Sequence, residues 1–312
     1  MLFSTIGAEM IGVFVHALFP LIFFCLIGVA ADRYLDLDQS SLSRLLVYVF
    51  FPPLVFSSLM KVQVSAQEVF RVIGFTLFIL GAMAVLGWVY SRMIKLDANT
   101  TSSAVLAITF FNGVNLGFPM ALFAFGEDGL YLAGVLIAVN CIPHNGFGML
   151  IAARGACSPR QTMLTMVRMP FIYVIMAALL IRLSGISLPS MILESVHSLG
   201  KASIPLVLIC VGMEMRHIKV DGRMGSVMGG VVLLRLVVAP LVAYGATEIL
   251  GLTGLLQSVL ILQASMPSAM APIVFARAFG GNVEFISGAV FCTTICSLVT
   301  LPIVLILLKQ GL

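Results

Sequence analysis

Two short polar stretches lie in the middle of long uncharged parts of the chain. Both hold amide, hydroxyl, glycine or proline residues where an apolar helix would otherwise run unbroken. In residues 109–119 these are Asn112, Asn115, Gly117 and Pro119. In residues 263–272 they are Gln263, Ser265, Pro267 and Ser268. Buried amides and hydroxyls need hydrogen-bond partners, so we expect these side chains to contact either the main chain or a ligand.

The prolines predict that a helix is interrupted in each stretch. Proline has no N–H to donate, and its ring clashes with the preceding turn. Irregular backbone does not face lipid, so it must lie inside the protein or beside a water-filled cavity. Interrupted helices at corresponding positions of two halves mark the binding site of many secondary transporters. We therefore predict a substrate cavity between the two stretches.

The same stretches favour an anion as the substrate. The N-terminus of a half-helix carries positive potential and free N–H groups. Asn112 and Asn115 could add their amides to such a site, and Gln263 could bind substrate or a cation. The structural alternative is that the two Asn side chains only satisfy carbonyls released by Pro119, beside a kinked but passive second helix.

Arg235 is the one basic residue deep within an apolar segment. A central Arg is costly in a membrane, so it should face a partner or a cavity rather than lipid. Its guanidinium fork matches a substrate carboxylate. The alternative is a structural ion pair, for which Glu214 is the close candidate. Both roles for Arg235 stay open at this point.

A histidine lies in another apolar segment, beside two asparagines. His144 could relay protons because the imidazole pKa lies near neutrality, whereas with Asn140 and Asn145 it could equally form a hydrogen-bonded helix contact. His144 and Glu214 are therefore the candidates for proton coupling.

Composition identifies the class of protein that must hold these residues. The chain has 312 residues, of which 61% are hydrophobic and 10% charged, whereas soluble domains carry roughly 25% charged residues. Uncharged runs of about 20 residues can cross a bilayer. We therefore predict an all-α integral membrane protein with ten transmembrane helices, at residues 10–31, 42–60, 70–91, 100–125, 130–153, 169–188, 198–216, 225–247, 253–277 and 285–308.

The basic residues predict the orientation of these spans. One set of alternate loops holds 11 of the 17 Lys and Arg residues and the other set holds 5. Because positive loops stay in the cytoplasm, both termini should be non-cytoplasmic. We expect the protein to lie in the inner membrane. We also expect the first span to be retained rather than cleaved as a signal peptide, because no basic region precedes it.

Prolines recur at a nearly constant offset along the chain. The pairs Pro20/Pro170, Pro53/Pro205 and Pro119/Pro267 are 150, 152 and 148 residues apart. Although chance alignment of prolines is the alternative, this repetition favours two five-helix repeats at residues 1–153 and 169–312, joined by a cytoplasmic loop at 154–168. Five is odd, so the repeats would insert with opposite topology.

Several functions are not indicated. Basic residues occupy short loops, which does not suggest nucleic-acid binding. Cysteines within apolar segments are expected to pack rather than to form disulfides or a metal site. No nucleophile elbow, zinc-protease motif or phosphate loop occurs, so we expect neither an enzyme nor a cofactor.

The motifs resemble those of the auxin efflux carrier family. The chain looks like a bacterial member of that family and is similar to the plant PIN auxin carriers. The resemblance rests on Asn112–Pro119, Arg235 with Ala239-Pro240, Gln263–Pro267, Pro272–Ala276 and Thr300-Leu-Pro302. It implies broken helices four and nine that cross mid-membrane, with scaffold helices 1, 2, 6 and 7 and transport helices 3–5 and 8–10. It also implies a homodimer and elevator-type transport of a small organic anion such as malonate, malate or an auxin-like acid.

Two other functions stay open. Sodium-coupled bile acid symporters resemble this plan, but no acidic residue lies within either polar stretch, which favours proton over sodium coupling. An anion channel is the alternative of another class.

Overall fold

The computed structural model of the protein describes residues 12, 14–35, 37–153, 170–218 and 225–310. Within these ranges the chain is helical almost throughout and contains no β-strand. The α-helices are α1 Phe19–Tyr34, α2 Gln39–Leu45, α3 Phe51–Lys61, α4 Ala66–Met93, α5 Ala98–Thr109, α6 Phe118–Ala152, α7 Pro170–Ser184, α8 Ser190–Lys201, α9 Ser203–His217, α10 Gly225–Leu233, α11 Ala239–Ile249, α12 Gly254–Ala264, α13 Ala271–Ala278 and α14 Val283–Lys309.

Side-chain caps fix where several helices begin. The Asp97 carboxylate accepts hydrogen bonds from the N–H groups of Asn99 and Thr100 at the start of α5, and contacts with Thr100 lower the pKa of Asp97. Ser65 and Glu68 form a capping box at the start of α4, which satisfies two otherwise unpaired donors. These caps place the long apolar helices that the hydropathy pattern predicts.

The membrane-spanning character predicted from composition is confirmed. Among the described residues, seven helical stretches are long and apolar enough to cross a bilayer: Val15–Tyr34, Gln39–Lys61, Ala66–Met93, Gly113–Ala152, Ser190–His217, Val227–Ile249 and Val283–Lys309. Pro170–Ser184 and Gly254–Ala264 are shorter apolar helices. The division into ten spans stays a prediction, and the predicted loop at 154–168 lies outside the described residues.

One of the long stretches contains the boundary between two predicted spans. Gly126 has φ 70° and ψ −159° inside α6, a conformation that glycine adopts readily and other residues do not. This residue falls between the predicted spans 100–125 and 130–153. The helix therefore bends at the position where the sequence predicts a turn.

Four π-helical turns precede α-helices that have proline in their first turn. The turns are Phe14–Leu18, Leu46–Phe50, Gly113–Gly117 and Leu234–Val238, followed by Pro20, Pro52, Pro119 and Pro240. The residue four positions before each proline is the middle residue of its π turn. Since proline cannot donate to that carbonyl and its ring crowds it, the turn widens. The prolines therefore widen helices more often than they end them.

Glycines allow several helices to pack backbone against backbone. A Cβ atom on Gly28 of α1 would lie 2.0 Å from the carbonyl oxygen of Ile209 in α9, and one on Gly212 would lie 2.0 Å from that of Cys25. A Cβ atom on Gly134 of α6 would lie 2.4 Å from Cβ of Ser58 in α3. Small residues at such crossings are typical of membrane helices.

Candidate functional site

The two polar stretches meet and pair through their main chains. The N–H of Asn112 donates to the carbonyl of Pro267 at 2.8 Å, and the N–H of Ala269 donates to the carbonyl of Phe110 at 2.8 Å. These bonds make an antiparallel bridge between Phe111 and Ser268. Helices α5 and α12 end beside the bridge, and α6 and α13 begin beyond it. The helices are thus interrupted at both predicted positions.

Arg235 lies at the carbonyl ends of the two helices that finish at the bridge. Its side chain is fully buried and donates to the carbonyl oxygens of Ile108 at 2.9 Å, of Thr109 at 3.4 Å and of Ala264. Its guanidinium carbon is 5.9 Å from the centre of the Phe111 ring. Because the C-terminus of a helix carries negative potential, the positive charge of Arg235 compensates the C-termini of both α5 and α12. Within the described residues no ion pair joins Arg235 to Glu214.

Hydroxyl groups satisfy the remaining main-chain groups around the bridge. Ser268 Oγ donates to the carbonyl of Ala107 at 2.7 Å, and the Ser268 N–H donates to Thr293 Oγ1 at 3.1 Å. Ser265 Oγ donates to the carbonyl of Ile261 at 2.7 Å within its own helix. Ser265 and Ser268 therefore have protein partners. The Thr293 contact was not predicted, since a lone threonine in an apolar segment carries no distinctive pattern.

Gln263 fits against two glycines of the first stretch. Its side chain is fully buried, and neither amide atom has a hydrogen-bond partner among the described residues. A Cβ atom on Gly117 would lie 2.1 Å from Gln263 Oε1, and one on Gly113 would lie 3.0 Å from it. Glycine is therefore required at 117 for Gln263 to occupy this position.

A cavity of about 160 Å³ opens beside the bridge. It is bounded by residues from both stretches, by the later part of α6 and by the start of α7. The lining contains no Asp, Glu, Lys or Arg; it consists of Phe111, Asn112, Gly113, Val114, Asn115, Ile137, Asn140, Cys141, His144, Asn145, Phe171, Ala269, Met270 and Ala271. Gly113 and Ala271 are the first residues of the helical segments Gly113–Gly117 and Ala271–Ala278, so two helix N-termini border it.

The asparagines around the cavity differ in what they leave unpaired. Asn112 Oδ1 accepts from the Asn115 N–H at 3.3 Å, whereas its Nδ2 has no partner among the described residues. Asn145 Nδ2 donates to the carbonyl of Cys141 at 2.7 Å. Neither amide atom of Asn140 has a described partner. Around the cavity, the buried amide atoms without a described partner are thus the donors of Asn112 and Asn140 and the acceptor of Asn140.

The predicted site residues divide into those that line the cavity and those that support it. Asn112, Asn115 and His144 line it, and the His144 ring lies 4.4 Å from that of Phe110. The supporting group lies around the bridge, outside the lining: Gly117, Pro119, Arg235, Gln263, Ser265, Pro267 and Ser268. Pro119 occupies the first turn of α6. The apolar walls formed by Ile137, Phe171 and Met270 were not predicted, because ordinary apolar residues carry no sequence pattern for a site.

Two larger cavities share lining residues with their neighbours. One of about 570 Å³ shares Asn115 and Met270 with the first and is also lined by Glu214. Another, of about 930 Å³, shares Glu214 with the second and is also lined by Gln39 and Arg277. Glu214 thus lines both larger cavities, which lie between the bridge and the Gln39 end of the Gln39–Lys61 stretch.

Charged and aromatic side chains contact one another at the Lys61 end of the Gln39–Lys61 stretch. Glu127 forms an ion pair with Lys201, and its carboxylate lies 3.5 Å from His197 Nε2. Lys61 lies 5.7 Å from the centre of the Tyr131 ring. With the Gly134–Ser58 contact, these residues join α6 to α3 and α8. Among the described residues, the two larger cavities therefore lie toward Gln39, whereas these contacts lie toward Lys61, beside a cavity of about 360 Å³.

Comparison with known proteins agrees with a transporter. The family model described as "Membrane transport protein" matches residues 13–158 and 156–305. An uncharacterized transporter of Methanothermobacter thermautotrophicus is 29% identical over 273 residues, covering 85% of this chain and 88% of the relative. A second, from Methanocaldococcus jannaschii, is 25% identical over 274 residues, covering 84% and 87%.

A plant protein is similar over a shorter region. The Arabidopsis thaliana auxin efflux carrier component 1 is 30% identical over 126 residues, covering 39% of this chain and 19% of the relative. Together with the family match along nearly the whole sequence, this agrees with the motifs at the two polar stretches. The chain belongs to the membrane transport protein family, the family of the auxin efflux carriers.

Proposed function

We propose that the protein is a secondary transporter of small organic anions, which bind by a carboxylate in the cavity beside the bridge. The observation that carries this proposal is the unpaired Asn112 Nδ2 at a cavity bordered by two helix N-termini and free of acidic side chains. Each helix terminus carries about half a positive charge. A carboxylate would supply acceptors to Asn112 and to these termini.

Transport requires that the site opens to one side at a time. The larger cavities between Asn115 and Gln39, compared with the ion-paired end around Glu127, support unequal access to the bridge from the two sides. We propose that elevator movement of helices 3–5 and 8–10 against helices 1, 2, 6 and 7 exchanges the two ends. The ten-helix inverted repeat, the homodimer, the inner-membrane location and the non-cytoplasmic termini belong to the same proposal.

Proton coupling is preferred to sodium coupling. His144 lines the cavity, and Glu214 lines the larger cavity that shares Asn115 with it. Sodium sites are built from oxygen ligands, often carboxylates, and no acidic side chain lines the cavity itself. His144 and Glu214 are therefore the groups through which a proton could accompany the anion.

Counterflow in proteoliposomes tests the function. Vesicles loaded with an unlabelled carboxylate should accumulate the labelled compound, which a channel does not support. Asn112→Ala should lower the apparent affinity by about 10- to 100-fold because it removes a hydrogen bond to a charged group. Ser265→Ala is the matched control, since its hydroxyl bonds within its own helix. Wild-type affinity in Asn112→Ala would contradict the proposed anion site.

A further inference from the structure

Among the four asparagines that line the cavity, Asn140 is the one whose two amide atoms are both buried and both without a partner among the described residues. The residue is 4% exposed. Asn112 has its oxygen occupied by the Asn115 N–H, and Asn145 has its nitrogen occupied by the Cys141 carbonyl. Asn115 Nδ2 contacts Met270 Sδ at 4.0 Å. Buried polar groups that native proteins leave unpaired call for an explanation.

A carboxylate does not complement this pair of atoms. Ionised carboxylates only accept hydrogen bonds, so one beside Asn140 would leave Oδ1 unpaired and place two oxygens together. Asn112 Nδ2 and the helix N-termini suit the carboxylate better, because they offer donors only. A neutral group that both donates and accepts, such as a hydroxyl, matches Asn140.

We propose that Asn140 is a specificity-determining residue that selects anions carrying a hydroxyl or a similar donor–acceptor group beside the carboxylate. This inference rests on the proposed function of the cavity. The cavity volume of about 160 Å³ suits a compact hydroxy acid. Ile137, one helical turn before Asn140, and Met270 supply apolar walls for its carbon atoms.

The test compares two ligands that differ by one hydroxyl. Titrate the purified full-length protein with propionate and with each enantiomer of lactate. One lactate enantiomer should bind the wild type at least about tenfold more tightly than propionate, because a site built around a hydroxyl rejects the analogue without it. In Asn140→Leu that preference should fall to within about twofold. Ser265→Ala should keep the preference, since its hydroxyl bonds within its own helix and lies outside the cavity lining.

Thermal stability separates selection from a structural role. Asn140→Leu removes two unpaired polar atoms and keeps a similar volume, so its unliganded melting temperature should equal or exceed that of the wild type. A clear fall would show that Asn140 supports the fold and would overturn the inference. Equal affinity of the wild type for propionate and both lactates would overturn it while leaving the anion site intact. Binding of none of these ligands would overturn the proposed function and this inference together.

Discussion

The bridge between the two polar stretches divides four helix ends into two pairs with different partners. The carbonyl ends of α5 and α12 face Arg235, which is buried and hydrogen-bonded to three carbonyl oxygens. The N-terminal ends at Gly113 and Ala271 border a cavity without charged side chains. Among the described residues, the protein supplies a countercharge at the negative ends and none at the positive ends, where we propose that the anion binds.

This difference bears on the two roles considered for Arg235. The guanidinium donates to main-chain carbonyls of both helices and is not part of the cavity lining, an arrangement that holds the helix ends together. Among the described residues its hydrogen-bond partners are backbone carbonyls and not Glu214. A direct role for Arg235 in anion binding stays a prediction.

The largest expected effect comes from removing the countercharge. Arg235→Met should leave the carbonyls of Ile108, Thr109 and Ala264 without this donor and destabilise the protein, by about 1–3 kcal/mol for each buried acceptor that stays unpaired. The measurement is the melting temperature and monodisperse yield in detergent. Arg235→Lys keeps the charge with fewer donors, so its melting temperature should lie between those of the wild type and Arg235→Met.

The opposite result would break the comparison. If Arg235→Met keeps wild-type stability and loses only anion binding, Arg235 belongs to the positive ends rather than to the negative ones.

A smaller loss of stability is expected from filling the space between Gly117 and Gln263. Gly117→Ala places a Cβ atom 2.1 Å from Gln263 Oε1, and such overpacking costs about 1–3 kcal/mol. The double variant Gly117→Ala/Gln263→Ala should recover much of that stability, because the clash disappears with the long side chain. Thermal denaturation of the two single variants and the double variant measures the coupling. Additive losses would mean that the two residues do not meet as described.

The smallest effect on stability is expected from the Glu127–Lys201 ion pair. Glu127 and Lys201 have side chains about 40% exposed (39% and 41%), and pairs of this kind contribute less than about 1 kcal/mol. Glu127→Gln should therefore leave the melting temperature nearly unchanged. Its effect should appear in accessibility, as faster labelling of a cysteine placed at position 131 from that side. An unchanged labelling rate would show that the pair does not help to seal this end.

Much of the architecture could be predicted from the sequence. The interruptions at 109–119 and 263–272 follow from prolines and glycines in apolar segments, and both are present. The membrane class follows from composition and is confirmed by seven long apolar helices. These properties depend on local sequence, which is why a single chain reveals them.

The pairing of side chains could not be predicted in the same way. Arg235 bonds to carbonyls at sequence separations of 127 and 29, and any carbonyl is a possible partner as far as the sequence shows. The prolines predict interrupted helices, yet Pro119 lies in the first turn of α6 and the irregular residues precede it. Phe171 and Met270 reach the cavity only because the helices cross. Long-range geometry of this kind depends on the whole fold.

The bridge also has a consequence for how the chain is made. When the first polar stretch enters the membrane during synthesis, the Asn112 N–H and the Phe110 carbonyl lack partners until Pro267 and Ala269 arrive. The carbonyl of Ala107 similarly waits for Ser268, 161 residues later. Biogenesis of the first half is therefore unfinished at the translocon until the second half has been translated. A truncated chain that ends before residue 263 should accordingly be a substrate for membrane quality control.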